Sequence, residues 1–209
     1  MYQVDQEHET SPAGPKVKLS NGKTVTNLAT LNFYNFASNE ILKEKAIKTL
    51  RTYGVGPCGP RGFYGTQDVH MQTETDIATH LGTAACIMYS QAFSTVSSVI
   101  PAFSKRGDFI VADESVSYPV RKGIQISRST VRWYKHNDMA DLERVLAKLV
   151  KEQSRKPLTR RFIVTEGMFE HTGDVADLPK LVSSLWQRDI KRYIVHVADC
   201  SNFFDTRLN

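Results

Sequence analysis

The residue types best suited to binding a charged ligand are concentrated in one glycine-rich segment, residues 53–65. Five glycines fall within twelve positions of this segment, at 54, 56, 59, 62 and 65. Glycine permits positive φ angles and close approach of the backbone to a ligand. Arg61 lies among these glycines, and a guanidinium binds a carboxylate or phosphate through two parallel hydrogen bonds. The pattern predicts an anion-binding loop, with an ordered surface loop whose arginine pairs with a carboxylate as the alternative.

Three of these glycines satisfy the G-x-G-x-x-G pattern of dinucleotide-binding loops. That pattern is informative only where it follows a strand and opens a helix. Here it follows an amphipathic helical pattern, and Pro57 and Pro60 disfavour a helix after it. No Gly-Lys-Ser/Thr follows, so a P-loop is also excluded. The segment is therefore not a nucleotide-binding fingerprint.

Other candidate residues stand singly or in pairs near predicted strand ends. Asp113–Glu114 could form an acid pair, although a solvated loop is the more ordinary interpretation. His136–Asp138 contains a histidine able to act as an acid or base, but Asn and Asp before a helix usually cap it. Glu166 ends an apolar run, where ligand contacts are common. Cys58 has no obvious base partner in the sequence, so a buried or loop thiol is expected.

The composition excludes several classes of protein. The 209 residues are 41% hydrophobic and 23% charged, which is close to a globular average and unlike a disordered tail, a collagen or a coiled coil. We expect no membrane helix and no signal peptide, because no apolar run is long enough. The net charge of +5 indicates solvated basic faces or an anionic small-molecule ligand in preference to nucleic acid. Three cysteines without metal-ligand spacing indicate a reducing compartment and no zinc site.

The hydrophobic pattern predicts the elements that must position these candidates. Asn21–Gly22 marks the turn of a small hairpin, and from Asn39 amphipathic patterns alternate with short apolar runs. The predicted helices are one capped by Ser38 or Asn39 and ended by Gly54, then Met71–Leu81, Phe93–Phe103, Pro119–Ser127, Asp138–Val150 and Leu178–Trp186. The predicted strands are Ala84–Tyr89, Phe109–Ala112, Val131–Tyr134, Phe162–Thr165 and Tyr193–Val197.

This alternation is typical of an α/β fold with a mainly parallel sheet. In such folds the ligand binds beyond the carboxyl ends of the strands. The candidate loops are those that follow Tyr89, Ala112, Thr165 and Val197. The residues alone therefore indicate an α/β domain that binds a small anionic ligand.

The glycine-rich segment and its continuation, YGVGPCGPRGFYGTQDVH at 53–70, resemble the α-oxoamine synthase family of fold-type-I enzymes that use pyridoxal phosphate (PLP). Further motifs keep the order and spacing of that family, at 105–108, 127–130, 136–143 and 164–174. The resemblance runs from about Val17 to Val182. Within the family, the chain most resembles the subunit-1 branch of the eukaryotic serine palmitoyltransferases, which condense serine with palmitoyl-coenzyme A in sphingolipid synthesis.

The resemblance implies an incomplete large domain of a PLP-dependent transferase, with flanking helices on a mainly parallel sheet. We expect an extended lead-in over 1–20, a partial aminotransferase class I/II-like domain over 21–182, and a divergent tail, foreign or misread, over 183–209. Asp199 stands near, but not at, the position of the acid that pairs with the pyridinium nitrogen. We expect the chain to end before the family's Schiff-base lysine and to lack the family's N-terminal membrane segment.

The resemblance also implies four cofactor-site residues, which are Ala92, Phe93, Ser117 and Glu166. Gln91-Ala92-Phe93 corresponds to the phosphate-binding turn, with Ala92 where many relatives have glycine. Ser117, four residues after Asp113, stands where catalytic members place the histidine that stacks on the PLP ring. A serine hydroxyl offers no π face to that ring. Glu166 borders the cofactor site in the motif Glu-Gly-x-Phe.

A supporting role follows from the same resemblance. The resemblance implies that the chain has no catalytic residue of its own and would assist a lysine-bearing partner that holds most of the PLP, the long-chain-base subunit 2 of serine palmitoyltransferase. Five residues would face the active site of that partner: Cys58, Gly59, Arg61, Tyr64 and His70. Serine and palmitoyl-CoA would be substrates of the complex, at the cytosolic face of the endoplasmic reticulum membrane. The alternatives are a non-catalytic assembly domain and a truncated chain without independent function.

Overall fold

A computed structural model of the chain describes residues 14–28, 32, 34–154, 159–187 and 193–198. Residues 1–13 of the predicted lead-in (1–20) lie outside the described residues, as do 188–192 and 199–209 of the predicted tail (183–209), Asp199 among them. The chain divides into two compact units, Met1–Ile87 and Met88–Asn209. Within the described part of the chain, no helix is long and apolar enough to cross a membrane.

The first unit begins with the hairpin that Asn21–Gly22 predicts. Strand β1 (Lys16–Lys18) pairs antiparallel with strand β2 (Thr24–Thr26). Gly22 has φ 86°, in the left-handed region that a tight turn requires and glycine adopts readily. The predicted hairpin is therefore confirmed. A short 3-10 helix, Phe36–Ser38, leads on to the first long helix.

Helix α1 (Glu40–Tyr53) has the ends that its sequence predicts. The Asn39 side chain accepts hydrogen bonds from the backbone N–H groups of Ile41 at 3.0 Å and Leu42 at 3.2 Å. These are two of the donors that the start of a helix leaves without an intrahelical acceptor. Gly54, at φ 74°, ends the helix.

The apolar side of α1 is exposed. No residue of the helix is buried, and Ile41 is 70% exposed while Leu50 is 52% exposed. A surface helix usually packs such a stripe against a core. The lysines Lys43 and Lys48 are exposed as well, as expected for a solvated face. The described residues therefore leave an open apolar stripe on α1.

Helix α2 (Asp68–Leu81) begins before its predicted start at Met71. The reason is a capping box, in which the backbone N–H of Gln67 donates to Nδ1 of His70 at 3.2 Å while the Gln67 side chain accepts from the His70 backbone. Hydrophobic periodicity cannot detect such a start, because the start is set by the polar residues Gln67 and His70. Gly82 ends the helix as predicted.

The second unit contains a parallel sheet with helices between its strands. The strands are β3 (Phe109–Asp113), β4 (Thr130–Tyr134), β5 (Arg161–Glu166) and β6 (Tyr193–Ala198). The helices are α3 (Ala92–Phe103), α4 (Tyr118–Ser127), α5 (Met139–Glu152) and α6 (Leu178–Gln187). The order across the sheet is β4-β3-β5-β6, and each neighbouring pair is parallel. The predicted α/β fold with a mainly parallel sheet is confirmed.

Side chains alternate between the two faces of this sheet, and each face has its own core. Ile110 of β3 packs in one core with Ile100 of α3 and residues of α4. Its neighbour Val111 packs in the other core, with Leu146 of α5 and a residue of α6. Helices thus bury both faces of the sheet, as parallel sheets require, and the loops at its carboxyl edge are left to form a site.

The run Ala84–Tyr89 is not a strand, so that prediction was wrong. A strand persists only when it pairs with a neighbour, and none of the described strands pairs with this run. Ile87, in the middle of the run, is 69% exposed. Apolar composition alone could not distinguish this exposed segment from a buried strand.

Candidate functional site

Acidic and polar side chains are buried at the carboxyl edge of the sheet. Asp113 is the last residue of β3 and Glu166 is the last residue of β5, and both are fully buried. Tyr134 ends β4 opposite Asp113 and is also buried. Burial raises the pKa of the Tyr134 phenol, and the Asp113 charge adds to that rise. The edge therefore combines two carboxylates with a neutral phenol.

Asp113 is held by three groups. Its Oδ1 accepts the backbone N–H of Ser115 at 2.8 Å and lies 3.0 Å from Nδ1 of His136, while its Oδ2 accepts the backbone N–H of Asn137 at 2.8 Å. The predicted solvated loop was therefore wrong for Asp113, because these bonds satisfy a carboxylate away from water. Its neighbour Glu114 is exposed, as predicted.

Glu166 joins the start of α4 to the loop that follows β5. Its Oε1 accepts the backbone N–H of Ser117 at 2.8 Å, and its Oε2 accepts the backbone N–H of Glu170 at 3.3 Å. Ser117 is itself fully buried, at the N-cap position of α4. The carboxylate therefore sets the relative positions of two loops at the sheet edge.

Ser117 is not suited to stack against a PLP ring. The residue is fully buried and its backbone is bonded to Glu166, so a ring has no access to it. Its hydroxyl also has no π face to offer. Of the predicted cofactor positions, this one is therefore unsuited to clamp a ring in the chain as it is folded.

The predicted phosphate-binding turn, Gln91–Phe93, is the beginning of α3. Ala92 and Phe93 are exposed, and the first turn of the helix carries no acidic residue. The hydroxyls of Ser94 and Thr95 both donate to the Gln91 carbonyl at 2.9 Å. Backbone N–H groups at a helix N-terminus favour an anion. The start of α3 therefore suits the phosphate group of PLP, and its described residues offer nothing specific to the rest of the cofactor.

In the first unit, Arg61 of the glycine-rich segment pairs with Glu74 of α2. Nη1 donates to Oε1 at 2.7 Å and Nη2 donates to Oε2 at 3.1 Å. The hydrogen bond to Glu74 raises the pKa of Arg61. This geometry matches the alternative drawn from the sequence, an arginine paired with a carboxylate of its own chain. Contact of Arg61 with a ligand or a partner stays a prediction.

The rest of the glycine-rich segment is folded tightly on itself. The Tyr64 hydroxyl donates to the Cys58 carbonyl at 2.6 Å. A Cβ on Gly59 would overlap the Tyr64 ring, and a Cβ on Gly65 would overlap the Gly59 carbonyl. Gly56 instead has φ 146°. Both expected reasons for glycine, close approach and unusual φ, are therefore found here.

The five residues expected to face a partner differ in how exposed they are and in whether they already have a hydrogen-bond partner within the chain. Cys58 is an exposed free cysteine, and Tyr64 is 60% exposed. Arg61 is paired with Glu74, and His70 caps α2. Gly59 supports the turn beneath the Tyr64 ring. Of the five, Cys58 and Tyr64 are therefore the ones whose side chains are exposed and not bound to another side chain in the described contacts.

Asp174 is a site residue that sequence reasoning missed. It lies in the loop after β5, where its Oδ2 is 3.0 Å from Nε2 of His136. The histidine ring packs edge-on against Phe169, with ring centroids 4.4 Å apart. Burial lowers the pKa of His136, but hydrogen bonds to Asp174 and Asp113 outweigh it and the pKa is raised. No local spacing indicates this contact, because it joins residues brought together only by the sheet.

The chain is similar to known proteins in sequence. It matches the family described as aminotransferase class I and II over residues 23–190. It is 49% identical over 172 residues to long chain base biosynthesis protein 1b of Oryza sativa subsp. japonica, covering 82% of this chain and 36% of that protein. It is 49% identical over 160 residues to serine palmitoyltransferase 1 of Saccharomyces cerevisiae, covering 75% of this chain and 29% of that protein. The chain thus spans about a third of the length of these curated relatives.

Solved structures share the fold. The serine palmitoyltransferase of S. paucimobilis with bound PLP and myriocin has a TM-score of 0.77 at 22% identity, covering 91% of this chain and 46% of that one. The enzyme of Sphingomonas wittichii has a TM-score of 0.77 at 21% identity, covering 92% and 46%. The fold is therefore that of the large domain of a fold-type-I transferase, in part. The chain belongs to the aminotransferase class I and II family, and the resemblance drawn from its motifs is confirmed.

Proposed function

We propose that this chain is a supporting part of a serine palmitoyltransferase, the enzyme that condenses serine with palmitoyl-CoA. The observation that carries the proposal is its 49% identity over 160 residues to serine palmitoyltransferase 1 of S. cerevisiae. Related long-chain-base proteins of rice support it at 49% and 45% identity. The complex would work at the cytosolic face of the endoplasmic reticulum membrane, in the entry step of sphingolipid synthesis.

The carboxyl edge of the sheet supports a non-catalytic role for this chain. PLP, when bound, supplies the electron sink that stabilises a carbanion. A catalytic site must also clamp the ring and provide an imine-forming lysine. Here the clamp position is the buried Ser117, tied to Glu166 by a 2.8 Å hydrogen bond. We therefore assign most of the cofactor binding, and the lysine, to a partner subunit.

Within such a complex, the residues of this chain would bind and orient. The start of α3 at Ala92–Phe93 presents backbone donors suited to a phosphate. The glycine-rich segment would face the active site of the partner with Cys58 and Tyr64 outward, while the Arg61–Glu74 pair keeps its shape. Such a segment would position a substrate without taking part in bond making.

Reconstitution tests the proposal directly. The chain is co-expressed with a lysine-bearing long-chain-base subunit 2 in cells that lack their own subunit 1. Condensation of labelled serine with palmitoyl-CoA is then measured with and without PLP. We expect a PLP-dependent activity that needs both chains. Binding of the partner without activity would favour the assembly-domain alternative, and absence of both binding and activity would favour a chain without independent function.

Cys58 tests whether the glycine-rich segment faces the reaction. Cys58→Phe adds bulk on the exposed side of the segment, so we expect kcat of the complex to fall by about tenfold or the preference for serine to weaken. Cys58→Ser is the matched control and keeps the size of the side chain. Unchanged kinetics in the Phe variant would contradict this placement.

Variants of the Arg61–Glu74 pair distinguish a role of the segment in positioning substrate from a role in subunit assembly. Glu74→Gln breaks the charge pair while leaving the guanidinium in place, and Arg61→Ala removes it. If the segment positions substrate, both variants lower kcat because the frame loosens. Loss of affinity between subunits with normal kcat would instead indicate that the segment serves only assembly.

A further inference from the structure

His136 lies between two carboxylates. Its Nδ1 is 3.0 Å from Oδ1 of Asp113, and its Nε2 is 3.0 Å from Oδ2 of Asp174. A neutral imidazole has one N–H and one lone pair, so it can donate to only one of these oxygens. A protonated imidazole donates to both. Both contacts can be hydrogen bonds only when the imidazole is protonated, so the geometry favours an imidazolium at this position.

This imidazolium connects three strands of the sheet. Asp113 ends β3, His136 lies in the turn after β4, and Asp174 lies in residues 167–177, the β5–α6 segment. The segment is closed by its own backbone bonds, from Phe169 N–H to the Asp174 carbonyl and from Gly173 N–H to the Phe169 carbonyl, both at 2.8 Å. It is therefore a compact loop that contacts the turn after β4 through the Asp174–His136 bond and through the Asn137 side chain, whose Nδ2 donates to the Val175 carbonyl at 3.2 Å.

The β5–α6 segment is also coupled to the buried edge of the sheet. It begins directly after Glu166, whose carboxylate accepts the N–H groups of Ser117 and Glu170. Phe169, in the same segment, is fully buried with its ring against His136. Movement of the segment would therefore disturb Glu166 and the start of α4.

We propose that His136 is a pH-sensitive latch that, while protonated, holds the β5–α6 segment against the carboxyl edge of the sheet. On deprotonation the proton leaves Nε2 for solvent, and the lone pair of Nε2 then faces the Asp174 carboxylate. Asp113 keeps its bond to Nδ1, because its carboxylate is fully buried and also held by backbone N–H groups. Asp174 is 55% exposed and turns to water. The outer bond is the one that opens.

The groups facing His136 favour its protonated form. Asp113 approaches from β3 and Asp174 from the β5–α6 segment, and the exposed Glu114 accepts the backbone N–H of His136 at 3.3 Å. Lys135, the preceding residue, is exposed. The pKa of His136 is raised above 6.5 in the folded chain. The stability gained from the protonated His136 is therefore fully present below pH 6.5, and it is lost as the pH rises through the pKa of His136 in the folded chain.

Two measurements on the 209-residue chain test the latch. NMR of ¹³C-histidine-labelled protein follows the titration of His136, assigned by the signal that His136→Gln removes. Amide hydrogen exchange, corrected for intrinsic rates, follows Phe169, Gly173 and Ala176; the Ala176 N–H donates to the Gly167 carbonyl at 3.0 Å, also within the segment. We expect the protection of these amides to fall roughly tenfold between about pH 5.5 and 8.5 as His136 loses its proton.

Asp174→Asn separates a latch from a fixed structural contact. An amide can accept from a protonated Nε2 or donate to an unprotonated one, so the bond persists at every pH. We expect protection in this variant to be independent of pH and the pKa of His136 to fall. His171→Gln, an exposed histidine of the same segment, is the matched control and keeps the pH dependence of the original chain.

Three results would overturn the proposal. The first is protection that does not change with pH in the original chain, and the second is a His136 signal that titrates at or below the ordinary value of 6.5. The third is an Asp174→Asn variant that loses protection equally at all pH values, because that pattern belongs to a fixed contact. None of these readouts depends on enzymatic activity, so they stand apart from the proposed function.

Discussion

Glu166 has a carboxylate whose two oxygens each accept a backbone N–H away from water. In a Glu166→Gln variant one of these oxygens becomes an amide NH₂ group, which would face a backbone N–H, so that two hydrogen-bond donors meet. A buried group left without a partner costs about 1–3 kcal/mol. The penalty applies to the fold whether or not a ligand is present, so it can be measured on the chain itself.

We expect Glu166→Gln to lower the free energy of unfolding by about 1–3 kcal/mol, measured by urea denaturation followed by circular dichroism. Glu170→Gln is the control, because the Glu170 side chain is exposed and its backbone N–H is unchanged. Its effect should stay within about 0.5 kcal/mol. Equal denaturation midpoints for the two variants would contradict the role assigned to Glu166.

The sequence predicted the residue types of this site better than their contacts. Glu166 and Asp113 were correctly expected at strand ends, because apolar runs end there. The burial of Asp113 and its link to His136 and Asp174 were not, since these residues are far apart in the chain and only the parallel register brings them together. For Arg61 the sequence left open whether the guanidinium binds a ligand or a carboxylate of its own chain. In the structure it pairs with Glu74 of α2.

Among the elements, α1 depends strongly on its first turn. The Asn39 side chain holds two backbone N–H groups, and the helix itself buries no residue. We expect Asn39→Ala to cost about 1 kcal/mol of helix stability, seen as reduced helicity by circular dichroism and faster amide exchange in α1. Asn39→Asp keeps a capping oxygen and should retain the helix. Equal loss in both variants would mean that the cap is not the cause.

Helix ends and strands show where local sequence suffices. Asn39, Gly54 and Gly82 were predicted correctly because a cap or a left-handed stop is a local preference. The start of α2 was missed because its capping box uses Gln67 and His70. The prediction of a strand over Ala84–Tyr89 was wrong because a strand needs a partner strand that is usually distant in the sequence. The residues of the run do not indicate whether such a partner exists.

For the molecule as a whole, the open apolar stripe of α1 is a liability of the isolated chain. Exposed apolar patches promote association. We expect Leu50→Lys, in the last turn of α1 and within the stripe, to reduce self-association of the chain in multi-angle light scattering. Thr52→Lys adds the same charge at an exposed polar position and serves as control. If both variants reduce association equally, charge and not the stripe is responsible.

The strand order β4-β3-β5-β6 has a consequence for biosynthesis. In order of translation, β4 pairs with β3, then β5 takes the free side of β3, and β6 takes the free side of β5. None of these four described strands has to insert between two that are already joined. Ribosomes deliver about 5–20 residues per second, which leaves time for each helix and strand to add before the next emerges. The sheet can therefore assemble vectorially, growing outward from β3 as the nascent chain leaves the exit tunnel.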